Sequence, residues 1–325
     1  MTTLSRRLLT SLLAACASVC HLQAHAQWPD KPVHLVVPYT PGSMGDVLAR
    51  SLGEELRQRL GQTFIVDNKP GAGGNIGTQG VATAAPDGQT FLLAATNNFV
   101  VNQYLYSGFK VDPLTAFEPV SVLIDVPSVF FTNASVPAHD VQSFAAWARA
   151  NPGRANYGSP GNGTTPHLSM FAIDKQLGTG MAHIPYPGAG QAVQALLAGD
   201  IQAYLGAAGL GLAHLRAGKL KALAVSADSR LDVLPGTPTF AEAGIGAVKA
   251  SNWWALAAPK GTPQAVVQKM AQAVAESLAS STMKERMREW GVLPVGDGPQ
   301  AMATRLRGES QMWQKVVKES GAKAD

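Results

Sequence analysis

Cysteine is almost missing from this chain: among 325 residues only Cys16 and Cys20 occur, both near the amino terminus. Charge is sparse too, with Asp, Glu, Lys and Arg making up 15% of the residues and a formal net charge of +4. No run of basic residues could track a phosphate backbone, so nucleic acid is not an expected partner. Low-complexity tracts, fixed-period repeats and long linkers are lacking, which excludes solenoids and loosely strung modules. No histidine or acid stands at metal spacing from His167, and neither a metal nor a cofactor is expected.

The first residues form a leader. Arg6 and Arg7 precede the apolar stretch LLTSLLAACASVC, and Ala24 and Ala26 place small residues two apart before Gln27. That pattern is a secretory signal over residues 1–26, too short for a membrane span. Cleavage after Ala26 removes both cysteines and two arginines but no acid, lowering the formal charge from +4 to +2. An exported chain without cysteine has no disulfides and depends on a packed core. A second reading stays open, in which LAAC at residues 13–16 is a lipoprotein cleavage site and Cys16 carries the anchor.

About 300 remaining residues exceed what one core usually needs, which points to two lobes of α/β type. VHLVVPY reads as a buried strand and GDVLARSLGEELRQRLG as an amphipathic helix, with Val47, Leu48, Leu52, Leu56 and Leu60 on one side and Gly61 as its stop. TFIVDN and QTFLLAAT continue a β-α-β-α-β order, the signature of a mostly parallel sheet flanked by helices. The pattern restarts at PVSVLIDVPSVFFTN, with helices expected over 141–150, 165–177 and 190–198, and strands at ANYGSP, MAHIPY, IQAYLGA and LKALAVSA. SNWWALAAP is a late strand, followed by helices over 263–290 and 300–318. With no linker, strands are expected to cross directly between lobes near Ile124 and Val248. Residues 27–124 plus 248–325 then form one lobe and 125–247 the other.

Glycine-bearing turns open into helices at two strand ends. A helix start offers unpaired N–H groups and the positive end of its dipole, so it holds an anion without a charged side chain. In PYTPGSMGD, Gly42 and Gly45 allow close approach, Ser43 adds a hydroxyl, and Asp46 either caps the helix or meets a ligand. In YGSPGNGTTPHL, Gly158, Gly161 and Gly163 bare the backbone beside Ser159, Asn162, Thr164 and Thr165. His167 reads as a packed histidine. Tyr186 and Gly188 mark a third polar turn. Trp253 and Trp254 should lie on opposite strand faces, one in the core and one toward the cleft.

Two catalytic or cofactor readings are weaker. Ser159 lacks the Gly-x-Ser-x-Gly elbow, since Gly158 abuts it, and no partner is marked by local pattern. The cluster Gly71, Gly73, Gly74 and Gly77 misses the dinucleotide fingerprint, because Ile76 stands where the third glycine belongs and LLAATNN supplies no acid for a ribose. The cluster is expected to be a tight strand-to-helix connection with Asn75 as helix cap.

Seven ordered blocks then carry a resemblance over nearly the whole mature chain: WPDKPVHLVVPYTPGSMGDVLAR, VDNKPGAGGNIGTQGVATAAPDGQTFLLA, NYGSPGNGTTPHL, HIPYPGAGQAVQALLAGDI, LRAGKLKALAVSADSR, LPGTPTFAEAG and WWALAAPKGTP. The chain resembles the Bug family, the exported solute receptors of tripartite tricarboxylate transporters. The resemblance implies an α/β, two-lobed periplasmic-binding-protein fold of type II kind that closes on a small carboxylate. It implies contacts from Tyr39, Gly42, Ser43, Met44, Asp46, Thr96 and Asn97 on one lobe, and from Ser159, Asn162, Gly163, Thr164, Thr165 and Tyr186 on the other. It also implies no catalysis, a monomer in the periplasm, and inner-membrane transporter subunits as partners. An orphan sensor reporting to a signalling partner is the alternative, with a serine hydrolase behind it. Two departures bear on the ligand. Met44 stands in the first turn, and QAYLGA places Gln202 and Gly206 where the family commonly has acids, which favours an apolar or aromatic carboxylate.

Overall fold

The computed structural model describes residues 28–324; the expected leader, with Cys16 and Ala26, lies outside the described residues. The chain begins with β1 (Val33–Val37), α1 (Met44–Leu60), β2 (Phe64–Asn68), α2 (Asn75–Ala82), β3 (Thr90–Ala95) and β4 (Phe117–Val126). It continues through β5 (Ser128–Asn133), α3 (Val141–Ala150), β6 (Asn156–Ser159), α4 (Thr165–Leu177), β7 (Ala182–Pro185), α5 (Ala189–Ala198), β8 (Ala203–Ala207) and β9 (Leu220–Val225). It ends with β10 (Asn252–Pro259), α6 (Gln264–Leu278), α7 (Ser281–Trp290), β11 (Leu293–Pro294) and α8 (Gly298–Ser320).

Two sheets result, one per lobe: β11-β4-β10-β3-β1-β2 and β7-β6-β8-β5-β9. The parallel share is smaller than the βαβα order implies. β1 runs parallel to β2 and β3, but β10 is antiparallel to both β3 and β4. In the second sheet β6 is parallel to β7 and β8, while β5 is antiparallel to β8 and β9. The antiparallel members are those around the lobe junction. There β4 passes into β5 through the single residue Pro127, whose missing N–H fits a point where pairing changes sheet.

Local chemistry explains the helix that follows the first predicted turn. Ser43 caps α1 by accepting the Asp46 amide, and Gly61 closes it in the left-handed conformation. Leu48, Leu52 and Leu56 are fully buried, each contributing about 1.5–3 kcal/mol. Val47, expected on the same stripe, is exposed instead, because one residue back turns it about a quarter of the way round the helix. β1 divides its side chains by strand alternation: Val33, Leu35 and Val37 pack toward α1 and α6, and Val36 toward the α8 side.

Candidate functional site

The first-lobe turn after β1 is largely satisfied by its own residues. The Gly42 amide donates to Asp46 Oδ2 at 2.9 Å, and Arg50 reaches Asp46 Oδ1 at 2.9 Å. The Arg50 guanidinium, helped by the Gly42 amide and opposed by burial, holds the Asp46 carboxyl below its ordinary range. Asp46 is 4% exposed and is held between the Gly42 amide and Arg50, while Ser43 caps the helix. Ser43 and Met44 are half-buried beside it. Beneath them Trp254 packs its ring against Tyr39 with centroids 5.2 Å apart, and the same ring occupies the space a side chain at Gly45 would fill. Both tryptophans are buried: Trp253 on the α8 face donates to Glu309 at 2.8 Å, and Trp254 supports the turn from below.

The glycine cluster buttresses this turn. Gly73 and Gly74 have φ of +62° and +90°, a region only glycine enters freely. Asn98 and Asn102 both donate to the Gly73 carbonyl, and Asn98 Oδ1 accepts the Tyr39 hydroxyl at 2.5 Å. Burial pushes the Tyr39 phenol well above its ordinary pKa, so it stays a donor. The expected Asn75 cap is corrected: Gly74 is the N-cap of α2, and Asn75 turns inward to accept from Asn102 at 2.6 Å.

In the second lobe the 159–165 turn rests on imidazoles. Ser159 Oγ lies 2.7 Å from His183 Nε2 and also donates to the Gly161 carbonyl, which Thr164 Oγ1 shares at 2.7 Å. His167 Nδ1 accepts the Gly163 amide at 3.0 Å, which fixes the neutral tautomer with hydrogen on Nε2. The two imidazoles stack 3.7 Å apart. Burial pushes both down to about 4, and for His167 the neighbouring His183 adds to it. The sequence marked no partner for Ser159, and the structure supplies His183, 24 residues away. A nucleophilic serine needs a base poised near the operating pH and an open face. Here the base is depressed and Ser159 is fully buried, so the contact positions the turn.

Several sequence-predicted residues meet across the lobes. Asn97 donates to the Gly163 carbonyl at 3.3 Å and accepts the Thr165 hydroxyl at 2.6 Å, and Asn162 donates to the Lys323 carbonyl at 2.9 Å. Tyr186 joins Ser159 through its amide at 2.9 Å. Thr96 is fully buried and exchanges hydrogen bonds with both backbone groups of Trp253, splicing β3 to β10. Among the described residues no hydrogen bond or ion pair joins the 42–46 turn to the second lobe. Asn98 and His183 were missed by sequence reasoning, and their only signal was polarity beside apolar strands.

The helix starts differ in a way that matters for anions. α1 is capped by Ser43, whereas no side chain caps α4 at Thr164 or α5 at Gly188. The second lobe therefore carries uncapped helix starts after the adjacent parallel strands β6 and β7, and the first lobe has one after β2 at Gly74. Gln202 holds its own lobe, accepting the Asn156 amide and donating to the Gly199 carbonyl. Where a side chain at Gly206 would point, Tyr204 and Leu210 fill the space.

Residues 48–322 match the family model described as "Tripartite tricarboxylate transporter family receptor". Protein BugT of Bordetella pertussis is 35% identical over 297 residues, covering 91% of either chain. A TctC solute-binding protein from Polaromonas, solved without ligand, aligns with a TM-score of 0.82 at 29% identity, over 90% of this chain and 99% of that one. The R. palustris protein Rpa4515, solved with adipate, aligns with a TM-score of 0.74 at 33% identity, over 91% and 99%. The chain thus belongs to the tripartite tricarboxylate transporter receptor family, solute-binding receptors built on the two-lobed periplasmic-binding-protein fold.

Proposed function

We propose that this receptor captures a small organic carboxylate between its lobes in the periplasm and delivers it to membrane subunits of a tripartite tricarboxylate-type transporter. The observation that carries the reading is the pair of uncapped helix starts in the second lobe, where the Thr164 and Thr165 hydroxyls donate to Gly161 and Asn97 and brace the turn. Amides at a helix start hold an anion while still permitting release. The adipate bound to the R. palustris relative supports a carboxylate as ligand. Closure follows from differential contact: a solute touching both lobes adds free energy only to the closed state.

The residues at the family's acidic positions favour an apolar or aromatic body on that carboxylate. Met44 is flexible and apolar, Gly206 is neutral and packed against Tyr204 and Leu210, and Gln202 is consumed within its lobe. A signal over residues 1–26, cleaved after Ala26, delivers the protein as a monomer. Isothermal titration against aliphatic and aromatic carboxylates tests this. One of them binds saturably, and Thr164→Ala combined with Thr165→Ala weakens it by roughly tenfold, about 1.4 kcal/mol. Equal affinity in wild type and double variant contradicts the site.

A further inference from the structure

Between α4 and α8 lies a cavity of about 290 Å³, with walls from both lobes. Phe171, Val248, Met312 and Val316 give it an apolar lining. Trp313 also lines it and is 1% exposed, yet its indole N–H has no acceptor. A buried donor without a partner is rare in native proteins and calls for an explanation. Packing has driven this tryptophan inward without satisfying its polar end.

The rim has the opposite character. Lys175, Lys249 and Lys315 line the cavity against one acid, Glu319, an excess of two positive charges. Glu319 is bound by Lys175 at 2.8 Å and lies within electrostatic reach of Lys315, so one acid serves a rim of three ammonium groups. An apolar lining and a cationic rim together select an occupant with an apolar body and an anionic head.

We propose that this cavity is a second ligand site, separate from the cleft between the 42–46 and 159–165 turns, and that it takes a small amphiphilic carboxylate. The head's oxygens pair with the Lys249 and Lys315 ammonium groups at the rim, and the Trp313 ring in the wall reports the occupant. Its chain covers the apolar lining.

Indole N–H signals of the full-length protein, followed by NMR during titration with sodium octanoate, test the assignment. The Trp313 signal is identified by its loss in Trp313→Phe. It should shift saturably with octanoate and not with octylamine. Lys249→Gln combined with Lys315→Gln should weaken the response by roughly fivefold, as expected for removing two exposed charges. The response should persist in Thr164→Ala plus Thr165→Ala, which separates it from solute binding in the cleft. An unmoved Trp313 signal overturns the proposal. So does an equal response to octylamine, an unchanged response in the lysine double variant, or loss of the response in the threonine double variant.

Discussion

Trp254 dictates the residue at position 45, because its ring sits where any side chain there would go. Gly45→Ala forces the ring and Tyr39 to shift, and urea denaturation should show a loss of about 1–3 kcal/mol, the usual cost of overpacking. Gly74 is constrained differently: its φ is +90°, and a Cβ would stand 2.5 Å from the Asn98 amide nitrogen. Gly74→Ala should lower stability by about 1–3 kcal/mol while leaving carboxylate affinity nearly unchanged, checked by thermal melts beside titrations. Affinity falling first would instead make the cluster a binding loop. The need for glycine in these turns was legible in the sequence, whereas its causes were not. Trp254 and Asn98 come from remote segments, and Asn75 was misjudged as a cap because its buried partner Asn102 lies 27 residues on.

Elements with their own punctuation were the most legible. α3 begins where Asp140 and Ser143 satisfy each other's amides, and α4 ends on the left-handed Gly178. The expected single helix over 263–290 is two, since Ser280 accepts the Met283 amide and starts α7 afresh. The 97–105 segment, a wide helical turn running into a short helix, escaped prediction because its NNFVV pattern fits no regular period. At this scale the stacked imidazoles beneath the 159–165 turn make stability depend on pH. Their folded values near 4 lie below the ordinary 6.5, so between these the unfolded chain binds protons that the folded chain does not. Stability therefore rises with pH across this window and is lost as pH falls through it. The loss from pH 7 to 4.5 should be on the order of 1 kcal/mol per imidazole once solvent screening is allowed for. His183→Gln should remove about half of that slope in thermal melts.

Over the whole molecule, the lobes meet where sequence reasoning could not see pairs. The turns were readable from local glycines and hydroxyls, but the Asn97 and Thr165 contact spans 68 residues. Behind the crossing strands, Arg305 binds Asp125 through two nitrogens at 2.8 and 3.0 Å and Glu309 through a third at 2.8 Å. Its guanidinium also lies 5.2 Å from the Trp253 ring centre. Arg305→Met leaves two partly buried carboxylates uncompensated, and chemical denaturation should show a loss of about 2–4 kcal/mol. Carboxylate binding between the lobes at the uncapped starts of the second lobe is the proposal on which the transport role depends. A crystal structure with the tightest carboxylate from the titration panel tests it most directly. Carboxylate oxygens should lie within hydrogen-bond distance of the Thr165 or His167 amide. A carboxylate held elsewhere, with these groups untouched, would contradict it.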